Sequence, residues 1–159
     1  MKVAVFFGST SDKEKMRPAI GILNEFGIPH ADYAVSAHRN PELLTKLIQE
    51  FEATGVECVI AGAGLAAHLP GVIASQTVIP VIGVPLEAAL GGIDSLLSIV
   101  QMPKSIPVAT VGINNSANAA FLAIQMLAVK YPDLKRKLIA YRQRMKEEIE
   151  SNYYKGVEW

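Results

Sequence analysis

KVAVFFGSTSD, at residues 2–12, is the stretch that decides the fold class. Its apolar run of β-type residues ends at Gly8, and a helical pattern follows the polar turn directly. In the helix predicted over Asp12–Phe26 the apolar residues fall on one face, and Gly27 ends the helix as a C-terminal cap. A strand that passes into a helix through a short turn is typical of a parallel β-α-β unit.

The alternation of strand and helix continues along the chain. Further strands are predicted at Tyr33–Val35, Glu57–Ala61, Val78–Val84 and Ile106–Val111. Further helices are predicted from Pro41 to Gly55, in a short segment ending at Gln76, within Gly91–Gln101, and over Ala117–Val129 and Leu134–Glu150. The pattern predicts an α/β fold, a flavodoxin-like three-layer α/β/α sandwich with a five-stranded parallel sheet and a long C-terminal helix. Five strands favour the order 2-1-3-4-5, which periodicity alone does not fix.

Length and composition narrow the class of protein. The 159 residues suit a single domain over 1–159, with its core in about residues 1–130. The formal net charge is zero, so no basic surplus is available for nucleic acid. The chain start does not have the pattern of a signal peptide, and no apolar run reaches the roughly 18 residues of a membrane span. A reducing, cytoplasmic setting is the expectation, and the single cysteine, Cys58, is expected to be a buried core residue.

Two helices suggest association with further copies of the chain. The predicted helix Ala117–Val129 is almost uncharged on every side, so a neighbouring subunit is its expected cover. The C-terminal helix, at about residues 134–150, has only a narrow apolar stripe and is expected to pack on a neighbouring subunit. The stripe consists of Leu134, Leu138, Tyr141 and Met145.

The unusual loops of the chain all follow predicted strands. They are Gly8–Asp12, Ser36–Asn40, Gly62–Gly71 and Pro85–Gly92. In open parallel sheets ligands bind beyond the carboxyl ends of the strands. The four loops therefore predict one binding site at that edge of the sheet.

The first of these loops is suited to an anion. It lies between a strand and a helix start, where free backbone N–H groups and the helix dipole favour a phosphate. Gly8 permits a tight turn, and the serines offer hydroxyl donors. Two other roles remain open: Ser11 or Asp12 merely caps the helix, or Asp12 accepts hydrogen bonds from ribose hydroxyls.

The second loop places a histidine beside an arginine. His38 is suited to proton transfer near neutral pH, and Arg39 offers a planar fork for phosphate or carboxylate. A purely structural histidine remains the alternative.

In the third loop the small residues of Ala61–Gly71 let a ligand approach the backbone closely, and His68 offers a second polar contact. No metal site is expected, because the histidines lack ligand-like spacing and have no cluster of cysteines or carboxylates beside them.

Four motifs together resemble the class I PurE proteins, the N5-carboxyaminoimidazole ribonucleotide mutases of bacterial purine biosynthesis. The similarity runs in unbroken order from about Val3 to about Val129. The motifs are GSTSD at residues 8–12, SAHR at 36–39 followed by Pro41, AAHLPG at 66–71 and DSLLSIVQMP at 94–103.

The resemblance implies a homo-octamer that converts N5-carboxyaminoimidazole ribonucleotide to 4-carboxy-5-aminoimidazole ribonucleotide, without metal or organic cofactor. It implies that carbon dioxide is released and recaptured, with His38 as the general acid and then the general base. It implies that Ser9, Asp12 and Arg39 bind the nucleotide. The rest of the implied pocket consists of Ser11, Ser36, the Ala61–Leu69 backbone with Ala63, Gly64 and Leu69, and His68 near the carbon dioxide.

Four features depart from the family pattern. Leu65 stands where a glycine is usual, Lys104-Ser105 replaces a pair that ends in glycine, Gly112–Asn118 is a shorter turn, and the tail Ser151–Trp159 has no counterpart. None of them involves His38 or Arg39. Two alternatives stay open: a class II enzyme that uses free carbon dioxide with aminoimidazole ribonucleotide, and a non-catalytic nucleotide-binding paralogue.

Overall fold

A computed structural model describes residues 2–153 of the chain. Strands and helices alternate through that range. The strands are β1 Val3–Phe7, β2 His30–Ala34, β3 Cys58–Gly64, β4 Val81–Leu86 and β5 Ala109–Thr110. The α-helices are α1 Lys13–Glu25, α2 Pro41–Ala53, α3 Leu69–Ala74, α4 Ile93–Val100, α5 Ser116–Ala128 and α6 Pro132–Tyr153. Two short 3₁₀ helices, Thr10–Asp12 and Leu90–Gly92, lead into α1 and α4.

All five strands are parallel, in the order β2-β1-β3-β4-β5. This confirms the predicted fold class and strand order. β1 lies between β2 and β3, so Phe7 at its end pairs with Ala34 on one side and Gly62 on the other. The loops that follow these three strands therefore lie side by side.

Different helices pack on the two faces of the sheet. Val3, Val5 and Phe7 of β1 point to a core shared with α1, α5 and α6. Ala4 and Phe6 point to the opposite core, shared with α2, α3 and α4. Side chains alternate between faces along a strand, so a strand buried on both sides is apolar at every position. The result is the predicted three-layer sandwich.

Helix α5 is covered mainly by its own chain, because α1 and the sheet bury one side of it and α6 packs on it as well. The expectation that a neighbouring subunit supplies its main cover is therefore wrong for most of the helix. The α6 stripe packs on the same cluster of side chains: the Tyr141 ring lies tilted against the rings of Phe26 and Phe121, with ring centroids 5.6 Å and 5.0 Å away. Of the predicted stripe, only Met145 is exposed.

Several boundaries differ from the predicted ones. β3 continues to Gly64, three residues beyond the prediction, because its pairing with β4 extends to Leu86. β5 has only two residues, since it is an edge strand and Pro107 has no N–H to donate to the sheet. α6 includes the first three residues of the tail, and residues 154–159 lie outside the described range. No helix within residues 2–153 is long and apolar enough to cross a membrane.

Candidate active site

The four predicted loops meet at the carboxyl edge of the sheet. A backbone hydrogen bond from Val35 to the carbonyl of Phe7, 2.9 Å long, extends the β1–β2 pairing into the loops. The loop after β1 is flanked by the loop after β2 on one side and the loop after β3 on the other. The structure thus groups the residues that the sequence analysis selected.

The turn after β1 holds its hydroxyls together. The Ser11 hydroxyl donates to the Ser9 hydroxyl at 3.0 Å, and the Ser11 N–H donates to the same oxygen at 3.4 Å. Ser9 therefore caps the 3₁₀ helix Thr10–Asp12, while Asp12 makes no side-chain cap on α1. The capping role left open for Ser11 or Asp12 belongs to Ser9 instead.

Asp12 is half-buried beside this turn. Burial raises the pKa of its carboxyl above the ordinary value, and the charge of Lys15 and a backbone hydrogen bond at Ser9 oppose the rise. A carboxylate with little water around it gains strongly from hydroxyl donors. Asp12 is therefore well placed to accept hydrogen bonds from a sugar.

The loop after β2 presents its charged side chains outward. The Ser36 hydroxyl accepts a hydrogen bond from the Arg39 N–H at 3.3 Å, and Asn40 caps α2 by accepting from the Leu43 N–H at 3.1 Å. The turn is thereby fixed by its own polar side chains. Within residues 2–153 the exposed Arg39 guanidinium forms no hydrogen bond or ion pair, so its fork is open to a ligand.

The two loop histidines are in direct contact. Nε2 of His38 lies 2.7 Å from Nδ1 of His68, and the two rings meet edge to face with centroids 4.8 Å apart. This contact joins the loops after β2 and β3 across the loop after β1. The sequence predicted both histidines for the site but not the bond between them.

The loop after β3 is tightly built. A Cβ on Gly64, the last residue of β3, would lie 3.1 Å from the Ala88 side chain and from the Leu86 carbonyl, so the end of β3 lies close to the end of β4 and the loop that follows it. Ala63 is buried, and the side chain of Leu69 is in the core, which leaves only their backbones for a ligand. Leu65 is 56% exposed.

Leu65 and Ser105, the two positions where the sequence analysis expected glycine, adopt left-handed backbone conformations. Leu65 has φ 55° and Ser105 has φ 79°. Such conformations cost a residue with a side chain about 1 kcal/mol or more. Both residues therefore hold a strained backbone conformation that glycine adopts without strain.

We expect Leu65→Gly and Ser105→Gly each to raise the free energy of unfolding by about 0.5 kcal/mol, because strain relief exceeds the added entropy of the unfolded chain. Leu65→Ala and Ser105→Ala are the matched controls, since they keep the Cβ and should bring no gain. Thermal melting at equal protein concentration measures the difference. Equal melting temperatures for the glycine and alanine variants would show that the backbone at Leu65 and Ser105 is not strained.

The loop after β4 is anchored by residues that the sequence analysis missed. The Asn114 amide accepts from the Glu87 N–H at 3.0 Å and donates to the Glu87 carboxylate at 3.2 Å. The buried Ser95 hydroxyl lies 3.1 Å and 2.8 Å from the carbonyl oxygens of Leu86 and Gly92. Asn114 has a left-handed φ of 56°, which asparagine tolerates better than most residues. An asparagine soon after the predicted strand Ile106–Val111 was therefore the sequence signal that could have predicted this turn.

The remaining candidate groups contribute no further chemistry. Burial raises the pKa of the Cys58 thiol to about 12, which agrees with its predicted place in the core. Among the described residues, no three His, Cys, Asp or Glu side chains come together as a metal site would require. The site consists of an imidazole pair, a guanidinium, a carboxylate, hydroxyls and exposed backbone. Such a set can bind an anionic sugar phosphate and move protons beside it.

Comparison with known proteins gives consistent matches. The family described as AIR carboxylase matches residues 2–148. The chain is 54% identical over 149 residues to the N5-carboxyaminoimidazole ribonucleotide mutase of Pyrococcus horikoshii, covering 93% of this chain and 84% of that protein. Identity to the protein of the same name from Thermotoga maritima is 51%, covering 93% and 87%. The crystal structure of Treponema denticola PurE matches with a TM-score of 0.90 at 25% identity, covering 99% of each chain.

Proposed function

This chain belongs to the AIR carboxylase family, and from that premise we propose that it is an N5-carboxyaminoimidazole ribonucleotide mutase of purine biosynthesis. Its substrate would be the carboxyamino nucleotide and its product 4-carboxy-5-aminoimidazole ribonucleotide. The activity is proposed for a cytoplasmic enzyme that uses no metal or organic cofactor. The observation that supports it most is the grouping of His38, His68 and Arg39 around the serine turn after β1.

Nucleotide binding is assigned to the first two loops. The phosphate would lie against the backbone N–H groups and hydroxyls of Ser9 and Ser11, with Arg39 as its charged partner. Asp12 would accept from the ribose hydroxyls, and Ser36 would line the same side. These contacts position the base over the edge of the sheet, next to the histidine pair.

The chemical step needs one proton to move twice. When the N-carboxylate leaves as carbon dioxide, the electrons of the broken C–N bond stay on nitrogen, and His38 donates a proton there. The ring carbon then attacks carbon dioxide, and His38 removes the proton from that carbon. Because the same imidazole gives and regains the proton, the cycle needs no further acid or base.

Carbon dioxide must stay beside the ring between the two steps. The backbone of Ala61–Leu69, with Ala63 and Gly64 in its tightest part, would form a weakly polar slot close to His68. Holding the reactants in contact lowers the barrier, since recapture becomes an intramolecular step. In a single chain Leu65 and His38 are exposed, so a further part of the assembly must shield the slot from water.

A homo-octamer is the assembly we propose as that cover. On α4, Ile93, Leu97 and Val100 form an exposed apolar stripe at helical spacing. Ile139, Met145 and Ile149 are also exposed on α6, which keeps that helix as a proposed contact with a neighbouring subunit. Apolar surface of this kind is typical of subunit contacts.

We expect light scattering at micromolar concentration to give about eight times the chain mass of 17.1 kDa. Leu97→Asp should lower that mass, because it puts a charge into the apolar stripe, whereas Gln49→Asp, at an exposed position on α2 outside both proposed contacts, should not. A stable monomer in the wild-type protein would contradict the octamer.

The activity is tested by supplying purified protein with each of two substrates. We expect 4-carboxy-5-aminoimidazole ribonucleotide to form from the carboxyamino nucleotide without added bicarbonate. A protein that works only on aminoimidazole ribonucleotide with bicarbonate would be a class II carboxylase. A protein that binds the nucleotide but converts neither substrate would be the non-catalytic paralogue.

A further inference from the structure

The contact between the two imidazoles restricts which of the two facing nitrogens can carry a proton. Nε2 of His38 and Nδ1 of His68 are 2.7 Å apart, which is hydrogen-bond distance. One nitrogen must therefore carry a proton and the other must be bare. Each ring keeps a second nitrogen outside the bond: Nδ1 of His38 and Nε2 of His68. Within residues 2–153 neither ring forms another hydrogen bond.

The proposed chemistry selects one of the two directions. If Nδ1–H of His68 donated, neutral His38 would carry its only proton on Nδ1. Giving that proton away would then leave His38 as an anion, which is strongly unfavourable. If Nε2–H of His38 donates, the ring cycles between its neutral and singly protonated forms, with Nδ1 as the exchanging atom.

We infer that His68 is a positioning residue whose Nδ1 accepts from Nε2–H of His38 and so makes Nδ1 of His38 the nitrogen that exchanges protons with the substrate. This inference rests on the proposed function and adds to it the atom that reacts. It also gives His68 a role beyond lining the carbon dioxide slot.

The protons balance through the whole cycle. At the start the pair carries three ring protons and one positive charge: on Nδ1 of His38, between the rings, and on Nε2 of His68. Nδ1 of His38 gives its proton to the nitrogen that has lost carbon dioxide, which leaves both rings neutral. After the new C–C bond forms, the proton of that carbon returns to Nδ1. In the charged state the shared proton can lie on either ring, so the pair spreads the positive charge.

The backbone around both rings is suited to this task. His68 precedes α3, where its carbonyl accepts from the Val72 N–H at 2.8 Å, but its side chain does not cap the helix. The next two residues, Leu69 and Pro70, are buried, which fixes the start of α3. On the other loop, the Asn40 N–H donates to the Ser36 carbonyl at 3.0 Å and holds the turn that presents His38.

Nitrogen-15 solid-state NMR tests the inference without substrate. The chain has three histidines, and labelling only these gives signals that single His→Asn variants assign. In the neutral pair we expect His38 to show a protonated Nε2 and a bare Nδ1. His68→Leu should release this preference and change the His38 signals. His30 is the internal control, because it bonds Asp32 and Asn24 at 2.8 Å and 3.2 Å and should not change.

Turnover gives the second test. We expect His68→Leu to lower kcat about 30-fold with KM changed less than about threefold, because the lost bond is to a group that becomes charged. His68→Asn places an amide oxygen where Nδ1 was, so it should retain kcat to within about threefold. A merely structural histidine would not be rescued in this way.

Each failure has its own meaning. A bare Nε2 on His38, or His38 signals that are the same in His68→Leu, would overturn the pairing direction. So would wild-type turnover in His68→Leu, or equal impairment of the Leu and Asn variants. Absence of turnover in the wild-type protein would instead refute the proposed function, and the NMR result would still stand.

Discussion

Replacing His38 by asparagine should lower kcat at least about 1000-fold. General acid or base catalysis contributes roughly 10²- to 10⁴-fold to a step, and here one imidazole serves two proton transfers. Asparagine fills similar space but does not exchange protons near neutral pH. We expect nucleotide affinity to stay within about tenfold, ~1.4 kcal/mol, because the phosphate and ribose contacts lie on other residues.

His30→Asn is the matched control for this variant. His30 lies on β2 and bonds Asp32 and Asn24, away from the imidazole pair. Its replacement should leave kcat within about twofold. Turnover kinetics and equilibrium binding of the product measure both quantities, and unchanged turnover in His38→Asn would refute the catalytic role.

Replacing Arg39 by leucine should raise KM about 100-fold, ~2.7 kcal/mol, and leave kcat within about threefold at saturation. The open guanidinium is the charged group assigned to the phosphate, and hydrogen bonds to charged groups contribute about 1.5–3 kcal/mol each. The loss falls on KM because the phosphate does not change during the reaction.

Arg39→Lys separates charge from geometry. Lysine keeps the positive charge but lacks the planar fork, so we expect KM to rise only about tenfold. Steady-state kinetics over a wide range of substrate concentration resolve the two variants. An unchanged KM in Arg39→Leu would mean that the phosphate binds elsewhere.

Sequence periodicity was sufficient to predict the three-layer α/β/α architecture, whereas the strand order was only favoured by the number of strands. The inner strands β1, β3 and β4 are apolar at nearly every position, which is typical of strands buried on both faces, and the alternation of strands with helices left few topologies. β5 was overestimated because Ile106–Val111 has the composition of a strand while Pro107 prevents regular pairing. The cover of α5 was misassigned because local sequence does not show that α6 folds back onto it.

The candidate site was predictable as a set of residues but not as a geometry. Parallel topology brings the loops after β1, β2 and β3 together, so the sequence could group Ser9, His38 and His68. The bond between the two histidines depends on ring orientations that no sequence pattern encodes. The anchoring by Ser95 and Asn114 depends on contacts between segments distant in the chain. The roles assigned to these residues remain predictions.

The crystal structure of the protein with bound 4-carboxy-5-aminoimidazole ribonucleotide tests the central claim most directly. We expect the phosphate on the turn at Ser9–Asp12, and Nδ1 of His38 within hydrogen-bonding reach, about 3.5 Å or less, of the carboxylated ring carbon or the neighbouring amine. A complex with the heterocycle bound away from His38 would contradict the account.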